Sequence, residues 1–402
     1  MGSLIRIIFC LFIARQIMPI VSVVTPASIL IVIWGIMIIS LLKHCLIREN
    51  INARRFFMLF LLIILLNIIP FSTDFNLFGM RVYEHINMAV LPSLIVLYII
   101  NNKDMKLCKS LCYCLYIAFL ITTISTITGN MLFPHASRMM ATGMADNPDL
   151  LNQYYRYNIG GFDFIYSVAL LIPIMVYIIK NYRMYRFPLL LLVFTSVYSI
   201  YISEYTTALL ISLLGMSCFF MSSSITKHHL KLYFIAIAIF ALFFYTVIPV
   251  MLNAIADMLG SDDISVRLHD ISDMILGKDL DTDSDIATRQ NIYMAAFMGF
   301  LENPIVGIQE NRGGHSFVLG VMCYWGLFGL FMFFYMFRNM RSLFFKCFAN
   351  TPIYGHICIF YVLYLIVLAL NPRVYLIVPM FCIPIVAYYF FRRSTTIDIM
   401  TV

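Results

Sequence analysis

Residues 302–330 read ENPIVGIQENRGGHSFVLGVMCYWGLFGL. The stretch runs from a helix stop at Asn303-Pro304 through a polar turn carrying Arg312 and His315. It then enters an apolar run long enough to cross a bilayer. An arginine, two glycines and a histidine thus stand where a span begins, and the rest of the chain must explain what faces that corner. Of the 402 residues, 62% are hydrophobic and only 12% are charged, with a mean hydropathy of +0.91. A soluble domain carries about 25% charged residues. This composition therefore belongs to a polytopic, all-helical membrane protein.

Apolar runs place spans near 4–24, 26–42, 56–71, 86–100, 110–128, 161–179, 187–202, 206–222, 231–250, 315–337, 353–370 and 374–391. The expectation is about twelve transmembrane helices in a single membrane domain covering residues 1–402. The first run holds Arg6, Arg15 and Gln16 and lacks a small-residue cleavage site, so it reads as a retained span rather than a signal peptide. The ten cysteines fall in apolar runs or their basic flanks, which implies no disulfide framework and no zinc spacing.

Charge sorts the loops. One alternating set, with Arg6, holds eighteen Lys and Arg against three acids (Glu49, Asp104 and Asp398). The other set holds eight basic residues and seventeen acidic ones. Basic enrichment marks the cytoplasmic side, so both termini are expected inside. The net charge of +7 is then the sum of a basic inner face and an acidic outer face, and nucleic-acid binding is not implied.

Two long connections fall on the outer side, 129–160 and 251–314, and both are expected to be periplasmic. In the larger, Ser261 with Asp262 and Asp263 forms a helix start, and Gly277 forms a stop. Ile264, Leu268, Ile271 and Ile275 make an apolar stripe between them. An acidic linker follows; its alternating aspartates lack the glycine and glutamate of a calcium loop, since Ser284 and Gln290 stand there. A second helix is expected from about Ile286 to Leu301, with Arg289 on the face of Ile292, Tyr293, Ala296 and Phe300. Glu204 reads as a solvated residue of a tight outer turn, while His135 and His269 have no obvious partner. His315 follows two glycines and opens a span, where backbone approaches a ligand closely and the helix dipole favours anions. On spacing alone, the His315-Ser316 pair serves equally as a helix cap or as catalytic machinery.

The run RQNIYMAAFMGFLENPIVGI from Arg289, then GGHSFVLG and YWGLFG, resembles the superfamily of O-antigen polymerases and O-antigen ligases. YRYNIGGFDFIY at 155–166 is similar to the polymerase branch. The resemblance implies a membrane glycosyltransferase of the bacterial inner membrane. Its donor would be an oligosaccharide on undecaprenyl pyrophosphate, and a chain-length regulator and membrane lipids would be partners. It implies Arg289 and His315 as catalytic residues. Many members carry an arginine in the turn that here reads Ser203-Glu204-Tyr205, so Arg138 or Arg156 would have to supply that charge. A pyrophosphate leaving group calls for bidentate arginine donors, which nominates Arg138, Arg156, Arg267 and Arg312 for substrate binding. No metal or other cofactor is needed if arginines carry the charge. Within the superfamily the alternative is a ligase; outside it, a flippase or transporter of the same lipid-linked glycan.

The sidedness is open to a direct test. In a cysteine-free background, Asp146→Cys and Asp283→Cys should both react with impermeant thiol reagents once the outer membrane is permeabilised. Labelling only after inner-membrane lysis would reverse the assignment.

Overall fold

The computed structural model describes residues 3–47, 86–142, 147–220, 247–260, 263–276, 285–310, 312, 314, 316–345, 348, 351–372 and 375–400. The expected spans at 56–71 and most of 231–250, and the acidic linker, lie outside them. Within the described residues every regular element is helical. In order they are α1 (Ser3–Ile17), α2 (Pro19–Val24), α3 (Ala27–Ile47), α4 (Leu91–Asn102), α5 (Met105–Leu132), α6 (Ala136–Thr142), α7 (Pro148–Arg156) and α8 (Phe162–Asn181). Then come α9 (Arg186–Ile202), α10 (Thr206–Ser217), α11 (Val247–Leu259), α12 (Asp263–Ile275), α13 (Asp285–Glu302), α14 (Phe317–Phe345), α15 (Ile353–Leu370) and α16 (Ile383–Met400). Among the described residues, five helical segments are long and apolar enough to cross a membrane: Met105–Leu132, Phe162–Asn181, Arg183–Ile202, Phe317–Tyr335 and Ile353–Leu370. Ser28–Ile39, Asn87–Asn102, Thr206–Ser217 and Val378–Phe391 are shorter apolar helices.

The bundle is built around α8. Its residues from Phe164 to Ile179 are all buried, and α9, α10, α15 and α16 pack on it. An apolar helix gains nothing by leaving lipid for other apolar side chains, so close packing and shared polar contacts must hold such a bundle together. Gly215 of α10 supplies one close approach, since a Cβ there would meet Ile172 and Pro173 of α8 at 3.2 Å. Local signals set several helix starts. Asp104 accepts from Leu107 N at 3.0 Å to open α5, and Asn147 accepts from Leu150 N at 3.3 Å, with Pro148 in the first turn, to open α7.

The first apolar run is not one helix. It breaks at Met18-Pro19 into α1 and the short α2, because proline removes a donor inside the turn. Arg15 sits at that break and donates from Nε to Thr25 Oγ1 at 2.9 Å. Its partner is a side chain just beyond the broken helix, and α2 turns aside to pack on α7.

The 302–330 stretch explains two of its own glycines. Helix α14 is interrupted at Gly326, whose φ of 61° and ψ of −151° are non-helical. An interruption there would orphan the carbonyls of Cys323 and Tyr324 and the amides of Leu327 and Phe328, which helical geometry pairs with one another. The preceding loop satisfies all four. Ile308 N donates to Cys323 O at 2.8 Å and Gln309 N to Tyr324 O at 3.3 Å. Leu327 N donates to Pro304 O at 2.8 Å and Phe328 N to Ile305 O at 3.1 Å. Residues 304–309 are thereby spliced into the broken helix. Gly307 and Gly326 both have positive φ, at 72° and 61°, and each would push a Cβ into the backbone of the other strand of the splice. Gly299 lets α13 lie on the same place, its absent side chain leaving room for Cys323 and Ile308.

The large loop begins as a helical hairpin. Helix α12 folds back on α11 through Ile264 and Leu268, which pack on Ala256 and Leu252, as the apolar stripe anticipates. Ser265 Oγ donates to Ala256 O at 2.8 Å and Ser272 Oγ to Pro249 O at 3.2 Å. His269 is partnered as well, by Asn253 at 3.0 Å and Asp257 at 3.3 Å. Sequence spacing could not pair them, because α11 belongs partly to an expected span. The second loop helix is α13, within a residue of its expected bounds at either end.

Gly326→Ala should cost several kcal/mol, because a Cβ would lie 2.6 Å from the Ile305 carbonyl on a left-handed backbone. Gly307→Ala should do the same. Gly35→Ala, with nothing within 4 Å, should be neutral or stabilise by up to about 1 kcal/mol. Thermal unfolding of the purified chain in detergent reads the difference, and an unchanged Gly326→Ala variant would show that the splice does not hold α14.

Candidate functional site

One end of the bundle gathers the ends of α5, α6, α7, α9 and α10, and it is organised by buried polar side chains. Asn130, in the last turn of α5, is the centre. Its Oδ1 accepts from Ser137 N at 3.0 Å, and its Nδ2 donates to Ser137 Oγ at 2.8 Å and Ser203 Oγ at 3.1 Å. Ser137 Oγ donates onward to Gly160 O at 2.9 Å, and Tyr205 OH donates to Ser137 O at 2.8 Å. Gly160 N donates to Thr126 Oγ1 at 2.7 Å. Asn158 ties in α5 and α2, donating to Ser125 Oγ at 2.8 Å and accepting from Ile20 N at 3.3 Å. Each group spends its hydrogen bonds inside the network, which is the condition for burying it without penalty.

This network brings Arg138 and Glu204 together. Arg138 follows Ser137 and Glu204 lies between Ser203 and Tyr205, so the bonds of Asn130 and Tyr205 fix both backbones. Arg138 Nη1 lies 3.5 Å from Glu204 Oε2, and His135 Nδ1 lies 2.9 Å from the same oxygen. The carboxylate can only accept, so the ring N–H of His135 donates. Glu204 is mostly covered, with a side-chain exposure of 19%. It is therefore not the solvated turn residue that the sequence suggests, and His135 does have a partner. Only the tertiary fold brings positions 135, 138 and 204 side by side.

Among the described residues, four of the six non-glycine residues with positive φ lie at this end, Lys103 and Gln309 being the others. His135, Asn158, Glu204 and Tyr375 have φ of 63°, 55°, 59° and 44°, in the left-handed region that side chains disfavour. Such conformations persist only where surrounding contacts over-determine them, and they cluster at functional sites. Beneath the ion cluster lie the rings of Phe162, Tyr166, Tyr205 and Tyr375. Tyr166 stacks on Tyr375 at 5.4 Å, and Phe162 meets Tyr205 edge-on at 5.5 Å. The α11–α12 hairpin reaches this region through Tyr201, which packs on it two residues before Ser203.

The residues expected to act are placed unequally. Arg138 stands at the 203–205 turn, where it faces the Glu204 carboxylate at 3.5 Å. Arg156 lies apart from it on the exposed face of α7, beside a shallow polar depression with Asp149, Asn152 and Gln153. Arg267 lies on α12, next to Leu268, which anchors the hairpin. Arg289 lies on α13 in register with Ala296, which is fully buried, while Asn291, Met294 and Met298 on the other side are exposed. The burial of Ala296 agrees with the expected apolar face of this helix. Arg312 is engaged by Glu310 at 2.8 Å and Glu302 at 3.3 Å, and the Glu310 hydrogen bond raises its pKa further above the ordinary value. Two carboxylates already neutralise this arginine. His315 lies outside the described residues. Its neighbour Ser316 is buried, and its Oγ accepts from Leu319 N at 3.2 Å, which caps the start of α14.

Compared with known families, curated proteins and solved structures, the chain gives no match in any of the three. The fold defines a helical membrane protein, and what it does must be argued from its own residues.

Asn130→Leu should leave the Ser137 amide without its acceptor in a buried site, at about 1–3 kcal/mol. Thermal unfolding in detergent should show that loss, and Asn130→Asp, which keeps the acceptor, should recover part of it. If the leucine variant matches the parent protein, the network does not order this end.

Proposed function

We propose that the chain is an O-antigen polymerase. It transfers a growing glycan from undecaprenyl pyrophosphate to a lipid-linked repeat unit at the periplasmic face of the bacterial inner membrane. The observation that carries this reading is Arg138, held by Glu204 at one end of an apolar bundle. A fixed guanidinium at a membrane surface suits a lipid-borne pyrophosphate, to which it presents parallel donors. The motif resemblance at 289–329 and the acidic, loop-bearing outer side point the same way. A ligase would need the same donor site, and a flippase would need no catalytic group.

In the proposed reaction an acceptor hydroxyl attacks the anomeric carbon of the donor glycan. The new glycosidic C–O bond forms as the bond from that carbon to the pyrophosphate oxygen breaks. The leaving oxygen keeps the electron pair, and Arg138 and Arg289 offset its charge. His315 accepts the hydroxyl proton as general base. Glu204 and His135 position Arg138 rather than touch substrate. Arg156, Arg267 and Arg312 would guide the anionic carrier, with Arg312 acting only on release from Glu302 and Glu310. A chain-length regulator would bind beside the loops.

In cells, Arg138→Ala and Arg289→Ala should each abolish long-chain glycan while the protein still accumulates. Arg289→Lys should also fail, because a point charge does not replace a bidentate fork. His315→Ala should lose about 10²–10⁴ in rate and leave lipid A-core bearing one repeat unit with no ladder. Long polymer accumulating on the carrier in the null strain would make the protein a ligase. Repeat units trapped on the cytoplasmic leaflet would make it a flippase.

A further inference from the structure

The opposite end of the bundle carries a second site that the proposed chemistry does not use. Between α5, α8, α9 and α16 lies a crevice of ≈ 400 Å³, lined among others by Tyr116, Met175, Leu189, Leu192, Val386 and Tyr389. Its walls are joined across the crevice. Tyr116 OH donates to Pro188 O at 3.3 Å, and Tyr185 and Tyr389 share a hydrogen bond at 3.2 Å. Tyr182 OH reaches Phe390 O at 3.0 Å. The crevice opens sideways, since Ile117 and Met184 on its rim are 50% and 69% exposed. At about 30 Å³ per water-sized group it holds about a dozen methylenes, most of one acyl chain.

Apolar lining alone does not select a ligand inside a membrane, because bulk lipid is equally apolar. Selection must come from the rim, and the rim is basic. Lys109 Nζ stands 5.8 Å from the ring centroid of Tyr113, which lines the crevice. Arg183 and Arg186 flank Met184 and Tyr185, also lining residues, and Arg186 is anchored by donation from Nε to Ile179 O at 3.2 Å. All three basic side chains are exposed, and no carboxylate among the described residues pairs with them. Asp104, an acid of the same loop region, is committed to capping α5.

We propose that this crevice is a binding site for one anionic glycerophospholipid from the leaflet on the basic side. One acyl chain fills the cavity, and Lys109, Arg183 and Arg186 hold the phosphate-bearing headgroup. Basic pockets between helices at the cytoplasmic surface bind anionic headgroups by this combination of shape and charge. The lipid fills a gap against the central helix α8 and so ties α5, α9 and α16 together at the end far from the 203–205 turn.

Native mass spectrometry of the delipidated full-length chain tests this, with three probes added separately. These are phosphatidylglycerol, phosphatidylcholine with identical chains, and a polyprenyl phosphate. One phosphatidylglycerol should survive a detergent wash that removes the other two. Leu189→Trp, which fills the crevice, should lower its retention at least tenfold, whereas Leu210→Trp, on an exposed face of α10, should not. Lys109→Gln with Arg183→Gln and Arg186→Gln should erase the preference for the anionic lipid, at about fivefold per charge removed. Equal retention of phosphatidylcholine, or no effect of both the tryptophan and the charge variants, would overturn the proposal. So would preferred retention of the polyprenyl phosphate, which would make the crevice a slot for an isoprenoid tail.

Discussion

A backbone amide or carbonyl without a partner costs several kcal/mol in hydrocarbon, and this constraint shapes the chain where it departs from regular helix. The interruption of α14 at Gly326 is tolerable only because residues 304–309 supply both the donors and the acceptors that the broken turn gives up. That splice fixes the end of α13 against α14, and with it the register of the helix that carries Arg289. It also explains why glycine stands at 307 and 326, and why proline at 304 does no harm: Pro304 contributes its carbonyl, the one polar backbone group it has. The corner at 302–316 is thus a structural joint before it is anything else.

The same rule, applied to side chains, orders the other loops. Asn130 has two donors and an acceptor, and all are spent on Ser137 and Ser203. A connection of three residues between α9 and α10 becomes rigid enough to hold Glu204 in a left-handed conformation. Arg138 is then presented by a carboxylate that is itself fixed. An arginine sited in this way loses little conformational entropy on meeting an anion, which separates it from Arg156 on its exposed helix face. Electrostatics and packing converge on one end of α8, while the crevice ringed by Lys109, Arg183 and Arg186 occupies the other.

The two ends suggest a division of labour along one helix. The end bearing Arg138 and Glu204 handles a headgroup with phosphate chemistry in the proposed reaction. The basic end anchors a lipid that stays in place.

Composition and hydropathy alone determine that this is a helical membrane protein, because 62% hydrophobic residues in long runs leave no other way to satisfy the backbone in lipid. The bounds of α13, the apolar stripe of Ile264 and Leu268, and the apolar face of α13 at Ala296 were also legible, since helical period is a local property. Loop charge sorted the connections into two sets before any fold was known. The break between α1 and α2 was half legible in Pro19, but that Arg15 would bond Thr25 was not. The meeting of His135, Arg138 and Glu204, the pairing of His269 with Asn253, and the splice at Gly326 could not be read from the chain. Each joins groups that no local period relates, and a hydrogen bond or an ion pair over such separations exists only once helix packing has brought its ends together.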